Sequence, residues 1–291
     1  MTPDEVMDEV RRIEVTTRHL VRDIVAGEYA SVFRGRGVEL ADVREYQPGD
    51  DVRSIDWKVT ARLGDTYVKR HVEERELTAM LVVDVSASQR FGAELRARDD
   101  LATLIASVLA LAASRSGDRV GALLFTDRVE RFVPPRKGRR HVLRVLSELI
   151  GRAPTGRGTD LAGALDFLDP ALRRRAVVFL ISDFLADGYE AALDRVTHRH
   201  ELVAIQLRDA RERELPGHGL VALRDPESDG WRWVDADAAR DALRSGAAAF
   251  DRELETRLRH RGADLLQLDA GQPYAGALVA FFRARERRRR H

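Results

Sequence analysis

The sequence of 291 residues contains no cysteine. Disulfide bonds, thiolate catalysis and cysteine-based zinc sites are therefore excluded. Long hydrophobic runs are also missing. The longest nearly apolar stretch, residues 101–113, is interrupted by Thr103 and Ser107 and falls short of the ~18 residues that a membrane-spanning helix needs. The residues after Met1 lack the apolar core of a secretory signal. These absences predict a cytoplasmic protein without a transmembrane segment.

The chain also has almost no excess of positive over negative charge. The net charge is +1, and the last nine residues contribute +5 through six arginines and one glutamate, which leaves −4 for the rest of the chain. A nucleic-acid-binding protein usually has a basic body, so nucleic acid is not expected as a partner. The arginine-rich end has two interpretations: a contact to phosphates or anionic lipid, or the solvated end of a last helix. The second is favoured because cations there suit the helix dipole.

The apolar residues that are present, 44% of the chain, follow an alternating pattern of strands and helices. Residues 79–83 and 176–181 are continuously apolar, which is typical of strands buried on both faces of a parallel sheet. Helical patterns separate these strands from further strand patterns at residues 119–125, 129–133, 202–207 and 264–268. This alternation predicts a doubly wound, mostly parallel α/β sheet flanked by helices.

The first quarter of the chain has a different character. Thr2 and Glu5 form a capping-box pattern, which predicts one helix running to Gly27. Residues 28–76 are rich in charge and glycine and contain one strand pattern, at residues 66–72. We therefore predict an N-terminal helix plus irregular module over residues 1–76 and an α/β domain over residues 77–291. The alternation around Trp231 and Trp233 adds an antiparallel ribbon near residues 220–234, at the edge of the sheet.

Polar side chains follow both continuously apolar strands. The carboxyl ends of parallel strands meet at one edge of a sheet, which is where ligands bind in open α/β folds. Carboxylate and hydroxyl oxygens without histidine or cysteine suit Mg²⁺, Mn²⁺ or Ca²⁺. The candidate ligands are two residues that end or follow the strands, two serines of the first loop and a threonine from the loop before residue 161: Asp84, Asp183, Ser86, Ser88 and Thr159.

The order Asp-x-Ser-x-Ser, then Thr, then Asp resembles the metal-ion-dependent adhesion site of von Willebrand factor A domains. The resemblance implies that Ser86, Ser88 and Thr159 coordinate the cation and that Asp84 and Asp183 act directly or through water. An open coordination position would then accept a carboxylate from a partner protein. The alternative is structural, since the serines and Thr159 could cap helices and Asp183 could close a turn. All five in this order favour the metal site.

An upstream signature resembles the domain of unknown function 58 family, in residues 35–40, 44–57, 61–62, 68–69 and 73–76. That resemblance implies a von Willebrand factor A-like domain and a partnership with MoxR-type AAA+ ATPases. Asp160 and Trp57 are the candidate partner-binding residues, Trp57 as an aromatic anchor. The signature's acidic and basic residues can equally form an ion-pair network that holds the module together.

Enzymatic alternatives have weaker patterns. A haloacid dehalogenase-type phosphatase needs a second aspartate at position 86, which is serine. Residues 151–158 nearly spell a phosphate-binding loop, but Arg157 replaces the lysine and a helix pattern precedes the loop. No Gly-x-Ser-x-Gly elbow exists. The sequence therefore predicts a non-enzymatic adaptor. A metal-dependent phosphoester hydrolase using Asp84 and Asp183, or a degenerate site in an interaction domain, are the alternatives.

Overall fold

The structure is a computed structural model. It describes residues 2–25, 43–47, 50–52, 55–69, 77–90, 97–215, 217–224 and 230–290. Parts of the upstream signature, including residues 35–40 and 73–76, therefore lie outside the described residues, as do residues 70–72 of the predicted strand.

The chain begins with two helices rather than the single predicted one, α1 (Pro3–Thr16) and α2 (Arg18–Val25). The capping box is confirmed: Glu5 N–H donates to Thr2 Oγ1, and Thr2 N–H donates to the Glu5 carboxylate at 2.7 Å. The break falls at Thr17, whose N–H and hydroxyl both donate to the Ile13 carbonyl. A preceding run of β-branched residues, which are weak helix formers, explains why the helix divides here.

A six-stranded sheet forms the centre of the molecule, with strand order β10-β7-β6-β3-β4-β5. All neighbouring pairs are parallel except β4 and β5. The mostly parallel, doubly wound α/β fold is confirmed. The strands are β3 (Thr78–Asp84), β4 (Arg119–Phe125), β5 (Val129–Arg136), β6 (Val177–Ser182), β7 (Glu201–Arg208) and β10 (Asp264–Asp269).

Helices cover both faces of this sheet. Apolar residues of α1 and α2 share one core with α4 (Ala97–Arg115), α5 (Arg139–Ile150) and α9 (Ala275–Arg290). The opposite core is built on α6 (Leu161–Ala171), α7 (Glu190–Arg199) and α8 (Ala236–His260). Along β3, Leu81 faces the first core and Val82 the second. This two-sided burial is the physical reason for the continuous apolar runs.

Two smaller sheets complete the described chain. Strands β1 (Val43–Glu45) and β2 (Tyr67–Lys69) pair antiparallel beside α3 (Trp57–Leu63). The ribbon predicted near residues 220–234 forms from β8 (Leu220–Arg224) and β9 (Trp231–Asp235). It is a separate two-stranded sheet rather than an extension of the central one. The domain boundary at residue 76 stays a prediction. Helices α1 and α2 precede this boundary, yet their apolar residues belong to a core that is built mainly from residues after it.

Candidate functional site

The strand order places a topological switch point at the centre of the sheet. Strands β3 and β6 are neighbours, and the chain leaves them in opposite directions, to β4 on one side and to β7 on the other. The carboxyl ends of such a pair are where open α/β sheets bind ligands. Asp84 is the last residue of β3, Ser182 is the last residue of β6, and Asp183 follows directly.

Asp84 is the deepest group of this site, with no exposed surface. Its Oδ1 accepts the Ser86 N–H at 3.0 Å. Its Oδ2 accepts the Ser182 hydroxyl at 2.7 Å and the Gln89 amide at 3.2 Å. The Ser86 hydroxyl also donates to Asp84, and the hydroxyl oxygens of Ser86 and Ser88 lie 2.9 Å apart. Three of the predicted ligands therefore form one connected cluster of hard oxygen atoms.

Among the described residues, the hydrogen-bond partners of Asp84 are uncharged groups. Burial, followed by the negative charge of nearby Asp183, raises the pKa of Asp84 to about 7 against the lowering effect of hydrogen bonds from Ser86 and Ser182. A buried carboxylate is costly unless it is paired with positive charge. A cation on the serine hydroxyls would lie beside Asp84 and would supply that charge.

Asp183 lies beside this cluster but has a structural role as well. Its Oδ1 accepts the Leu185 N–H at 3.1 Å, which closes a turn as the structural alternative expects. Its Oδ2 faces the guanidinium of Arg98 at 3.3 Å. The next residue, Phe184, is fully buried with φ +63°. A bulky residue rarely adopts this left-handed conformation, and such strain is typical of functional sites.

The loop that carries Thr159 is bound to the same edge of the sheet. The Ala87 N–H donates to the Arg157 carbonyl at 2.9 Å, and the Asp160 N–H donates to the Thr126 carbonyl at 2.8 Å. These two bonds hold the loop between the turn after β3 and the end of β4. Thr159 lies between the two anchor points in the chain, and its role as a ligand stays a prediction.

Asp160 and Trp57, the predicted partner-binding residues, lie in different places. Asp160 is the N-cap of α6, and its carboxylate accepts the Gly163 N–H at 2.8 Å. The helix is therefore capped by Asp160 and not by Thr159. Trp57 begins α3 and leaves 68% of its surface exposed. Their contact with a partner stays a prediction.

Four further residues touch the site and were not predicted from the sequence as ligands: Ser182, Gln89, Arg98 and Glu212. Arg98 gave one signal that could have been noticed. It lies in the first turn of α4, where the helix dipole favours acidic residues and disfavours cations. Glu212 gave none, because 114 residues separate it from its partner Arg98. Burial raises the pKa of Glu212, and the charge of Arg98 opposes that rise.

The residues at this edge fit a hard divalent cation. Within the described part of the chain, no three histidines, cysteines, aspartates or glutamates are grouped closely enough to hold a metal by themselves. The donor set is instead two carboxylates and three hydroxyls, which suits Mg²⁺ or Mn²⁺ and not zinc. The buried Gln89 Oε1 has no hydrogen-bond partner among the described residues, so an unused acceptor also lies beside Asp84.

The loop that resembles a phosphate-binding sequence has a different role. The N–H groups of Thr155 and Gly156 donate to the Glu130 carboxylate at 3.0 and 2.6 Å, and the Thr126 hydroxyl donates to it at 2.8 Å. An internal carboxylate therefore takes the position that a phosphate would need. A Cβ at Gly156 would collide with Thr126, so only glycine fits there. The loop is built to hold its neighbour, the segment with Thr159, in place.

Glu130→Gln tests this anchor. Burial favours the neutral form of Glu130, but the bonds from Gly156, Thr126 and Thr155 outweigh burial and lower its pKa. A lowered folded pKa stabilises the protein above the unfolded pKa, and that contribution is lost as the pH falls towards the folded value. The variant is expected to lose about 1–2 kcal/mol in the free energy of unfolding at pH 7, and much less below about pH 4. Urea denaturation at both pH values measures it.

Glu253→Gln is the matched control, because Glu253 is exposed and its ion pair among the described residues is with Arg257, one turn further along the same helix. Its expected effect is below about 0.5 kcal/mol. An equal loss in both variants, or a loss in Glu130→Gln that does not depend on pH, would contradict the anchoring role.

The described chain has no helix that is both long enough and apolar enough to cross a membrane. The ribbon β8–β9 exposes Trp231 and Trp233 on one face, and Arg224 lies 6.0 Å over the Trp231 ring. These two tryptophans and Trp57 are large aromatic side chains of the described residues that are exposed to solvent.

Solved structures with a similar arrangement share little sequence with this chain. An aerotolerance-related membrane protein from Bacteroides fragilis, carrying multiple mutations to serines, has a TM-score of 0.47 at 14% identity and covers 73% of this chain and 99% of its own. The conserved hypothetical protein BatB from Bacteroides thetaiotaomicron has a TM-score of 0.44 at 10% identity, over 72% of this chain and 99% of its own. A von Willebrand factor type A protein from Catenulispora acidiphila has a TM-score of 0.37 at 16% identity, over 61% of this chain and 43% of its own.

Sequence comparison is more decisive. An uncharacterized protein of Mycobacterium tuberculosis (strain H37Rv) is 37% identical over 283 residues, covering 96% of this chain and 89% of the relative. An uncharacterized protein of Mycobacterium avium is 36% identical over 159 residues, which covers 53% of this chain and 94% of the relative. The family model described as a protein of unknown function, DUF58, matches residues 42–254. This match spans much of the upstream signature and most of the central sheet, and the chain belongs to the DUF58 family.

Proposed function

We propose that the chain is a protein-interaction module that binds a partner's carboxylate through a divalent cation held at the switch point of the central sheet. Ser86, Ser88 and Thr159 would hold the cation, and Asp84 and Asp183 would balance its charge. The cation would supply Lewis acidity toward the incoming carboxylate. The observation that carries this proposal is the pair of adjacent serine hydroxyls, one of them bonded to the fully buried Asp84, at the switch point of the sheet.

The neutral hydroxyls are the reason for expecting partner binding there. Two serines and one threonine add no negative charge, so a bound cation keeps an unsatisfied attraction for a further carboxylate. Charge-assisted contacts of this kind are the strong ones in a shielded site. The partner we propose, from the family resemblance, is a MoxR-type AAA+ ATPase or its client, in a chaperone-like or assembly role.

The hydrolase alternative has less support from the site. A nucleophile or general base must reach its substrate, whereas Asp84 has no exposed surface and both of its oxygens already accept hydrogen bonds. Its charge can act on a neighbouring cation without such access. Metal-dependent turnover of p-nitrophenyl phosphate that is lost in Asp84→Asn would establish the hydrolase instead.

The proposal is tested with the substitution Ser88→Ala at constant Mg²⁺. Removing Mg²⁺ with a chelator would be a poorer test, because it would also disable the ATPase. Binding of a purified MoxR-type ATPase to the immobilised chain is measured at constant Mg²⁺. We expect at least about a tenfold loss of affinity, the effect usual for weakening a metal site. The backbone carbonyl of Ser88, which accepts from Arg98, is retained in the variant.

Ser147→Ala serves as the control for this substitution. Ser147 is also a half-buried serine, but it lies on α5 and donates to the Leu143 carbonyl. We expect wild-type binding. Equal binding by wild type and both variants would contradict a role of the metal site in partner recognition.

A further inference from the structure

We propose that Arg98 is an internal counter-cation of the site that lowers its affinity for metal, and that Glu212 limits this effect by offsetting part of the charge of the guanidinium. The inference rests on the proposed metal site and deepens it, since it assigns the pair that sets how readily the cation enters. A metal that is held weakly by the protein alone is held firmly only when a partner's carboxylate joins it.

The geometry of Arg98 is the first support. Its side chain is 1% exposed, and its Nη2 donates to the Ser88 carbonyl at 2.8 Å. Its Nη1 lies 3.3 Å from Asp183 Oδ2 and 2.5 Å from Glu212 Oε1. One guanidinium thus contacts the loop that carries two predicted ligands, the predicted ligand Asp183 and a second carboxylate, that of Glu212. The contact to Glu212 is the closer of the two ion pairs.

The position of Arg98 in the fold is the second support. It belongs to the first turn of α4, where the dipole works against a cation. Its Nε is buried and has no hydrogen-bond partner among the described residues. A helix gains nothing from an arginine placed this way. The charge of the two carboxylates is what keeps it there.

The third support is the balance of charge. Asp183 Oδ1 already accepts the Leu185 N–H, and its Oδ2 faces Arg98, so the carboxylate is satisfied without metal. A divalent cation on the hydroxyls of Ser86 and Ser88 would lie near the positively charged guanidinium, which is bound to the Ser88 carbonyl. Repulsion between buried like charges is poorly screened by salt, and it opposes metal entry. Glu212, which is 23% exposed, shares Arg98 Nη1 with Asp183 and makes the closer contact, so its negative charge offsets part of the charge of the guanidinium.

A purely structural ion pair makes a different prediction. If Arg98 only joined the segments after β3, β6 and β7, its removal would reduce stability without raising the affinity for metal. Breaking a buried ion pair costs stability in either case, so stability alone does not separate the two roles. Metal affinity does separate them, because only a counter-cation role predicts tighter binding after removal of Arg98.

The experiment is a calorimetric titration of Mg²⁺ and Mn²⁺ into wild type, Arg98→Gln and Glu212→Gln. Arg98→Gln is expected to bind metal at least about tenfold more tightly, since one buried like charge is removed. Glu212→Gln is expected to bind several-fold more weakly. Arg152→Gln is the control: Arg152 is also a mostly buried arginine, and it pairs with Asp99 of α4. Its metal affinity should equal that of wild type.

Thermal unfolding is a second readout, which does not depend on measuring the heat of metal binding. In EDTA, Arg98→Gln should unfold at a lower temperature than wild type, and Mg²⁺ should raise its unfolding temperature by more than it raises that of wild type. Folding of each variant is checked by circular dichroism. If Arg98→Gln does not fold, Glu212→Gln decides, and an affinity equal to wild type overturns the inference.

The outcomes separate this inference from the proposed function. A folded Arg98→Gln with unchanged or weaker affinity, while Asp84→Asn still loses binding, overturns the inference and leaves the metal site standing. Binding by Arg98→Gln when wild type is silent supports it, because the guanidinium then blocks the site outright. Silence in both proteins overturns the inference and the metal site together.

Discussion

Asp84→Asn is expected to lower the affinity for Mg²⁺ by at least about a hundredfold. Substitution of residues that merely orient metal ligands costs about 10–100-fold, and Asp84 contributes a full negative charge from a position with no access to solvent. Asparagine keeps the shape of the side chain but removes that charge. Calorimetric titration of Mg²⁺ and Mn²⁺ into metal-free wild type and variant measures the difference.

The same variant has a second expected property, which separates loss of a ligand from loss of the fold. Burial raises the pKa of Asp84 to about 7 in the metal-free protein, so its ionised form is costly there. Asp84→Asn should therefore be at least as stable as wild type in EDTA, by thermal unfolding. A variant that binds metal like wild type would remove Asp84 from the site, and a variant that unfolds would show that its role is structural.

Phe179→Ala is expected to have the largest effect on stability. Phe179 lies on β6, one of the two central strands, and is fully buried in the core that α1, α2, α4, α5 and α9 cover. Replacing a buried phenylalanine by alanine costs about 3–5 kcal/mol through lost burial and the cavity left behind. For a protein of this size the melting temperature should fall by roughly 6–20 °C. Denaturant and thermal unfolding both measure it.

Phe167→Ala is the matched control. Phe167 is 36% exposed on α6 and packs its ring edge-to-face on Phe132, with centroids 5.2 Å apart. Loss of one such aromatic pair is expected to cost about 1 kcal/mol. Equal effects of the two substitutions would mean that β6 does not lie at the centre of the fold.

The central sheet was predictable because its strands are buried on both sides. Residues 79–83 and 176–181 carry no polar residue, and short apolar runs of this kind are typical of strands that helices cover on both faces. The antiparallel pairing of β4 and β5 follows from their short connection at residues 126–128, although the periodicity alone does not state it. The break at Thr17 was missed because the apolar stripe continues across it, from Ile13 to Val21 and Ile24.

The candidate site was predictable as far as it follows the ends of strands. Local spacing after β3 brings Asp84, Ser86 and Ser88 together, and the parallel pairing of β6 with β3 adds Asp183. Arg98 was missed because its role depends on contacts across the fold. Its partner Glu212 becomes a neighbour only when the turn after β7 is packed against α4. No periodicity of the sequence carries that information.

Location of Mn²⁺ by anomalous X-ray scattering from crystals of the whole chain tests the proposed metal site most directly. One anomalous peak is expected at the carboxyl ends of β3 and β6, about 2.0–2.3 Å from the hydroxyl oxygens of Ser86, Ser88 and Thr159. The peak should be missing in crystals of Asp84→Asn grown under the same conditions. A peak elsewhere on the chain, with none at these hydroxyls, would contradict the proposed metal site.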